Sequence, residues 1–288
     1  MIKKTQHFLE MIKFEHTVFA LPFAFMGAIL GSVVVTDAFP QWSTIGWIIL
    51  AMIGARTAAM GLNRMIDKSI DSKNPRTAKR AIPAGLLSSK EVLLYILLSF
   101  ILLYIATSQL NPLSMKLLPV AVIFLVGYSY TKRFTWTCHI ILGLTIGLAP
   151  LGGWVAVTGT IDYTALIFYI TVALWTAGFD VIYACQDIEF DRREHLYSIP
   201  SRFGIGPALI IARCFHIVTA VGFITLMAIT ELSWVYLIGV ILAVGILFYE
   251  HRLISANDLT RLNTAFFTMN GALSVVVFVF ALIDLVVL

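Results

Sequence analysis

The sequence predicts an all-α, polytopic membrane protein, a bundle of nine transmembrane helices. Three observations predict it. Hydrophobic residues make up 59% of the 288 and charged residues 12%, with a mean hydropathy of +0.91; a soluble domain is roughly half apolar and about a quarter charged. Nine windows are apolar and long enough to be read as crossing a bilayer. The basic residues collect at one end of those windows.

The windows fall near 17–35, 44–63, 91–108, 117–131, 138–157, 163–183, 207–230, 234–250 and 265–287. The first follows a basic segment, MIKKTQHFLEMIKFEH, that resembles the start of a signal peptide. Its length and the eight further windows make it a retained helix. Pro22 lies inside it and Pro150 inside the fifth, and both are candidate kinks. The second window carries Arg56 and ends at Asn63. The fourth is short, with Pro119 near its start. The sixth carries Asp180. With nine spans, the N-terminus and every loop after an even-numbered helix share one side. By this assignment 17 of the 20 Lys and Arg residues lie there. The opposite loops, such as TDAFPQWS and VTGTID, are short and carry no base. The positive-inside rule makes the basic side cytoplasmic, in a multi-pass protein of the cell membrane. Neither a linker nor a low-complexity stretch divides the chain, so residues 1–288 read as a single domain.

The formal net charge of +4 fits basic loops against lipid and gives no reason to expect nucleic acid. Three cysteines, Cys138, Cys185 and Cys214, form no CxxC pair and no disulfide framework. The six histidines have no HExxH spacing, which argues against zinc.

Chemistry concentrates in two stretches. GLNRMIDKSIDSKNPRTAKRAIPAG begins at Gly61 and sets Asn63, Asp67 and Asp71 four residues apart. On a helix that spacing puts them on one face. Lys73, Arg76, Lys79 and Arg80 follow. YACQDIEFDRREHLYSIPSRFG begins at Tyr183 and repeats the pattern with Tyr183, Asp187 and Asp191, then Arg192 and Arg193. Both sets end even-numbered helices, so both reach the same side. Acidic faces joined to basic loops suit a polyphosphate held through a divalent metal, because Mg²⁺ takes one or two carboxylates and fills its shell with phosphate oxygens and water. Arg56 and Asp180 are charges inside spans, two turns before Asn63 and Asp187 respectively. Each is either a substrate contact or half of a buried ion pair joining the two helices. At the end of the fourth window Tyr128 and Lys132 stand one turn apart, placed to give a hydroxyl and an ammonium to a phosphate. Some of the 36 aromatic residues are expected to line an apolar tunnel, where their π-faces favour a cation.

At these residues the chain resembles the UbiA superfamily of intramembrane aromatic prenyltransferases. Asn63-x-x-x-Asp67-x-x-x-Asp71 with Arg76 and Arg80 is similar to the family's first signature. Asp180-x-x-Tyr183-x-x-x-Asp187-x-x-x-Asp191 is similar to its second, and Tyr128-x-x-x-Lys132 to the pair between them. Arg64 stands where an acidic residue often follows the asparagine, and Tyr197 where many members have a lysine before the serine, here Ser198. Arg202 is the nearest candidate for that missing charge. The resemblance implies Mg²⁺ held by Asp67, Asp71, Asp187 and Asp191, with Asn63 as a neutral oxygen ligand. It implies Arg76, Arg80 and Lys132 on the leaving diphosphate; Tyr183, Arg193, Arg202 and Asp180 are further candidate substrate contacts. Lys13 and Arg56 are candidates to hold an acceptor carboxylate. The implied reaction is transfer of a polyprenyl group from polyprenyl diphosphate to an aromatic acceptor such as 4-hydroxybenzoate, in quinone biosynthesis. Alternatives are a naphthoate of menaquinone synthesis, including the futalosine branch, or haem as acceptor. Outside this class stands a transporter of metal or phosphate ester, whose charges are expected at the bilayer midplane.

Overall fold

The computed structural model of the chain describes residues 2–12 and 20–287, except the side chain of Ile2. A short helix α1 (Ile2–Met11) precedes α2 (Leu21–Thr36) and α3 (Trp42–Ile66). Then come α4 (Lys68–Lys73), α5 (Ser89–Ser108), α6 (Pro112–Thr131), α7 (Cys138–Thr158) and α8 (Tyr163–Ala184). A 3₁₀ turn (Cys185–Asp187) leads into α9 (Ile188–Arg193), α10 (Ile199–Phe203), α11 (Ile205–Ile229) and α12 (Trp234–Arg252). A π-helical turn (Thr264–Met269) runs into α13 (Asn270–Val287). Among the described residues eight helices are long and apolar enough to cross a membrane, and α2 is a shorter apolar one. The protein is a multi-pass membrane protein. The nine expected spans correspond to these nine helices; the first residues of the first span lie outside the described residues.

Two boundaries differ from expectation for local reasons. The fourth span starts at Pro112, not near 117. Pro112 stands at the first helical position, where its missing N–H costs nothing, and the Asn111 side chain accepts from Ser114 N–H at 3.0 Å. Pro119 therefore sits inside α6. The last span opens as a π-turn, an irregularity with no hydropathy signature. Elsewhere the ends are marked by local chemistry. Ser88 and Glu91 form a reciprocal capping box at the start of α5, and Gly159 closes α7 in the left-handed conformation at φ 66°.

The bundle packs through small residues. A Cβ at Gly27 of α2 would lie 2.1 Å from the Pro150 carbonyl oxygen, and one at Gly153 of α7 the same distance from that of Ala24. These glycines let the two backbones meet, which is how membrane helices gain contact without a hydrophobic drive. Beside this seam Phe23, Trp154, Phe168, Trp175, Phe223 and Tyr236 form the main buried cluster. Large apolar side chains such as Leu94, Ile123, Ile217 and Phe248 face outward, as lipid contact requires.

Helices α3, α6, α8 and α12 end at one end of the bundle, and α5, α7, α11 and α13 begin there. Connections 67–88, 132–137 and 185–204 meet at this end as a cap of short helices and turns. Their bonds to each other create the site.

Candidate active site

The first motif keeps its helical face although α3 stops at Ile66. The Asp67 N–H donates to the Asn63 carbonyl at 3.0 Å and the Asp71 N–H to the Asp67 carbonyl at 2.7 Å. Asn63, Asp67 and Asp71 thus stay one turn apart. In the second motif the α8 helix tightens to a 3₁₀ turn at Cys185–Asp187 before α9 carries Asp191.

Each carboxylate meets partners drawn from other segments. Asp67, nearly inaccessible, accepts from Lys132 Nζ at 2.5 Å, Arg133 Nη2 at 2.8 Å and Asn63 Nδ2 at 3.2 Å. Asp71 takes Arg80 Nη1 on both oxygens, at 2.7 and 2.8 Å. Asp187 accepts two parallel bonds from Arg76, Nη2 at 2.6 Å and Nε at 3.0 Å, and a third from Asn74 Nδ2 at 3.1 Å. Arg76 also donates to the Tyr183 hydroxyl at 3.2 Å. Burial disfavours the charge on Arg76, but the hydrogen bond and charge of Asp187 outweigh it and raise the guanidinium above its ordinary pKa. Asp191 accepts from the Ser198 hydroxyl at 2.9 Å, and among the described residues no Lys or Arg forms an ion pair with it.

The two motifs therefore converge. Arg76 and Asn74 of the first loop bind Asp187 of the second, and Lys73 reaches Glu194 at 2.6 Å. The α6 end joins both: Lys132 binds Asp67, and its carbonyl accepts from Tyr197 N–H at 2.7 Å.

Other expected residues stand apart from this cluster. The Tyr128 hydroxyl is directed to the Ala59 carbonyl at 3.2 Å, beneath the charges. Arg193 is exposed and lies 4.0 Å from Glu194, while Arg202 rests on the rings of Trp136 and Phe203. Asp180 pairs with His139 Nδ1 at 2.7 Å, so the Arg56–Asp180 pair weighed from the sequence is replaced by one between adjacent helices α7 and α8. Arg56 lines an apolar cavity of about 290 Å³ between α3, α5, α6 and α7, with Met60 and Tyr128 toward the charged end and Thr107 and Leu110 far from it. Lys13 lies outside the described residues.

Sequence reasoning missed Arg133, Asn74 and His139. Arg133 follows Lys132 at the close of a span, which was a usable signal. Asn74 and His139 had none, because their partners lie 113 and 41 residues away. Buried acids at Glu250 and Asp284 were also missed. Asp284 caps the start of α12, accepting from the Ser233 and Tyr236 amides at 3.0 and 2.7 Å, and Glu250 accepts from Asn270 at 3.1 Å.

The donors fit a hard cation. They are carboxylate oxygens, but no three acidic, histidine or cysteine side chains among the described residues are grouped to hold one ion. Mg²⁺ characteristically takes one or two carboxylates and completes its shell with water and phosphate oxygens, so a site completed by a diphosphate needs no closed cage.

Comparison with known proteins bears on the family and the fold. The model of the UbiA prenyltransferase family matches residues 20–272. A 4-hydroxybenzoate octaprenyltransferase of Aliivibrio fischeri (strain MJ11) is 27% identical over 234 residues, covering 81% of each chain. The enzyme of the same name from Saccharophagus degradans is 26% identical over 251 residues, covering 87% of this chain and 83% of that one. The apo structure of a UbiA homolog from Aeropyrum pernix K1 superposes with a TM-score of 0.85 at 28% identity, over 94% of this chain and 98% of that one. A UbiA homolog from Archaeoglobus fulgidus bound to GPP and Mg²⁺ shares the fold, with a TM-score of 0.73 at 17% identity over 97% and 99% of the two chains. With two acidic motifs locked together at one end of a helical bundle and a family match across most of its length, this chain belongs to the UbiA prenyltransferase family.

Proposed function

We propose that this prenyltransferase moves a polyprenyl group from its diphosphate to a ring carbon of a small aromatic acid of the 4-hydroxybenzoate type, with Mg²⁺ at the carboxylates, in quinone biosynthesis. The observation that carries the reading is the charged cap directly above an apolar cavity that contains one arginine. A diphosphate with an apolar chain needs both environments side by side. The names of the relatives and the GPP–Mg²⁺ complex of the archaeal homolog support it.

Asp67, Asp71, Asp187 and Asp191 are the residues that would hold Mg²⁺, with Asn63 as a neutral donor. When bound, the metal neutralises charge on the departing diphosphate. Arg76, Arg80, Lys132 and Arg133, freed from the carboxylates they now pair with, turn to the phosphate oxygens and stabilise the charge that grows as the C–O bond breaks. The allylic cation left behind meets the ring of Tyr128, the aromatic side chain that lines the cavity. The acceptor ring attacks, forming the C–C bond, and loses a proton. Arg56 holds the acceptor carboxylate in the cavity, and the apolar walls exclude the water that would quench the cation. The positive-inside rule supports a cytoplasmic setting for this end, with a polar acceptor arriving from solution and the prenyl donor through the bilayer.

The test is purified protein in detergent with a labelled polyprenyl diphosphate and a panel of aromatic acids, with and without chelator. The expected product is a carbon-prenylated aromatic acid that forms only with metal. Prenylation of haem alone would move the assignment to another acceptor. Accumulation of metal or phosphate ester in proteoliposomes, with no acceptor prenylated, would replace it with transport.

A further inference from the structure

The connection that carries Asp191 is bolted to the α6–α7 corner at three points. The Tyr197 N–H donates to the Lys132 carbonyl at 2.7 Å, the Cys138 thiol meets the Tyr197 carbonyl at 3.4 Å, and the Ile199 N–H donates to His139 Nε2 at 3.2 Å. The third bond has a further link. His139 is 3% exposed and its other ring nitrogen lies 2.7 Å from Asp180 of α8. A backbone N–H is always the donor, so Nε2 must offer a lone pair and Nδ1 carries the proton given to Asp180. The ring is thereby fixed in one tautomer and one orientation. The residue before Ile199 is Ser198, whose hydroxyl donates to Asp191 at 2.9 Å while accepting from Ser201 N–H at 3.1 Å. That hydroxyl has one proton, and the Ser201 amide already occupies its acceptor side, so its aim at Asp191 depends on where the backbone of 198–199 is held.

We propose that His139 is a positioning residue for metal binding: through Asp180 on one side and the Ile199 amide on the other, it holds Ser198 against Asp191. The proposal rests on the reading of Asp191 as a metal ligand. Asp191 needs such a device because Asp67, Asp71 and Asp187 are oriented by cations, whereas among the described residues its side-chain donor is the Ser198 hydroxyl. Glutamine has an amide that can donate to Asp180 and accept from Ile199 at once. Leucine has the bulk without either bond.

The experiment compares wild type, His139→Gln and His139→Leu in two readouts. In metal-free protein, amide hydrogen exchange over 194–203 is expected to be several-fold faster in His139→Leu, unchanged in His139→Gln, and unchanged across α12 in both. In turnover assays the Mg²⁺ concentration for half-maximal rate is expected to rise about tenfold in His139→Leu, the lower end of the effect of outer-shell changes on metal sites, with the acceptor KM unmoved. Ser198→Ala is expected to shift the Mg²⁺ requirement similarly, and the double variant no further. If His139→Leu is not recovered folded, His139→Asn, too short to span both partners, is read the same way. Unchanged exchange and unchanged Mg²⁺ dependence in the leucine or asparagine variant overturns the proposal, as does a glutamine variant as impaired as leucine. The exchange arm requires no turnover, so a wild type that prenylates no aromatic acid defeats the functional reading and leaves that arm to decide the positioning role.

Discussion

Asp67 and Asp71 of the first motif have side chains 2% and 6% exposed, while that of Asp187 in the second is 18% exposed. The first pair is neutralised by three cations, Lys132, Arg133 and Arg80. The second has one, Arg76, and it is lent by the first loop. Two motifs with the same spacing thus sit in different electrostatic settings. The first is part of the framework, since removing a buried carboxylate strands the cations packed on it. The second is the more open side at Asp187, and Asp191 is held by a hydroxyl and by no ion pair among the described residues.

The largest effect expected from this contrast is a split between activity and stability. Asp67→Asn and Asp191→Asn should each lower turnover about 10³-fold or more, because charge at the diphosphate is the main source of rate. Only Asp67→Asn should also lower stability, by about 1–3 kcal/mol once solvent at Lys132 and Arg133 is allowed for, seen as a drop in Tm of the detergent-solubilised protein. Equal Tm for the two variants would erase the difference between the motifs.

Next is the bridge between them. Arg76→Ala removes both bonds to Asp187 and the contact with Tyr183, and turnover should fall about 10²-fold. Lys132→Ala should cost less, about tenfold, because Arg133 remains on Asp67. A Lys132 variant worse than the aspartate variants would mean that the ammonium does more than offset charge. Arg56→Leu probes the cavity below: the acceptor KM should rise about tenfold to a hundredfold, the value of a lost charged contact, with the KM for prenyl diphosphate little changed. A rise in the latter alone would take Arg56 away from the acceptor.

The smallest effect lies at the rim, where Lys73 meets Glu194. The hydrogen bond from Lys73 holds the Glu194 carboxyl below its usual range. A carboxyl with a lowered folded pKa adds stability that is present above its unfolded pKa and lost as pH falls through the folded one. Lys73→Ala should therefore lower Tm slightly at neutral pH, with the gap to wild type closing on the acid side of the ordinary glutamate pKa. A gap that persists in acid would assign Lys73 a role other than this pair.

Nine apolar helices, the ends that carry the motifs and the four-residue rhythm of the carboxylates were legible in the sequence, because each depends on neighbours within a turn or two of helix. Lipid solvent enforces helices on apolar runs, and i,i+4 spacing fixes a face regardless of what packs against it. Family membership was legible for the same reason, since its signatures are local. The charge partners were not. Arg76 lies 111 residues from Asp187 and Arg133 lies 66 from Asp67. Whether a guanidinium meets its own loop's carboxylate, as Arg80 does, or another's, as Arg76 does, depends on how close the helix ends are brought. Gly27 and Gly153 draw α2 and α7 together, and the cap loops then close over the ends of α3, α6 and α8. Asp180 shows the same limit: its partner is the ring that helix packing sets beside it, His139, and not Arg56. The sequence determined the helices and which residues face the same way along them. Tertiary structure alone decided which charges touch, because a charge pair across two loops is set by distances that no local rule contains.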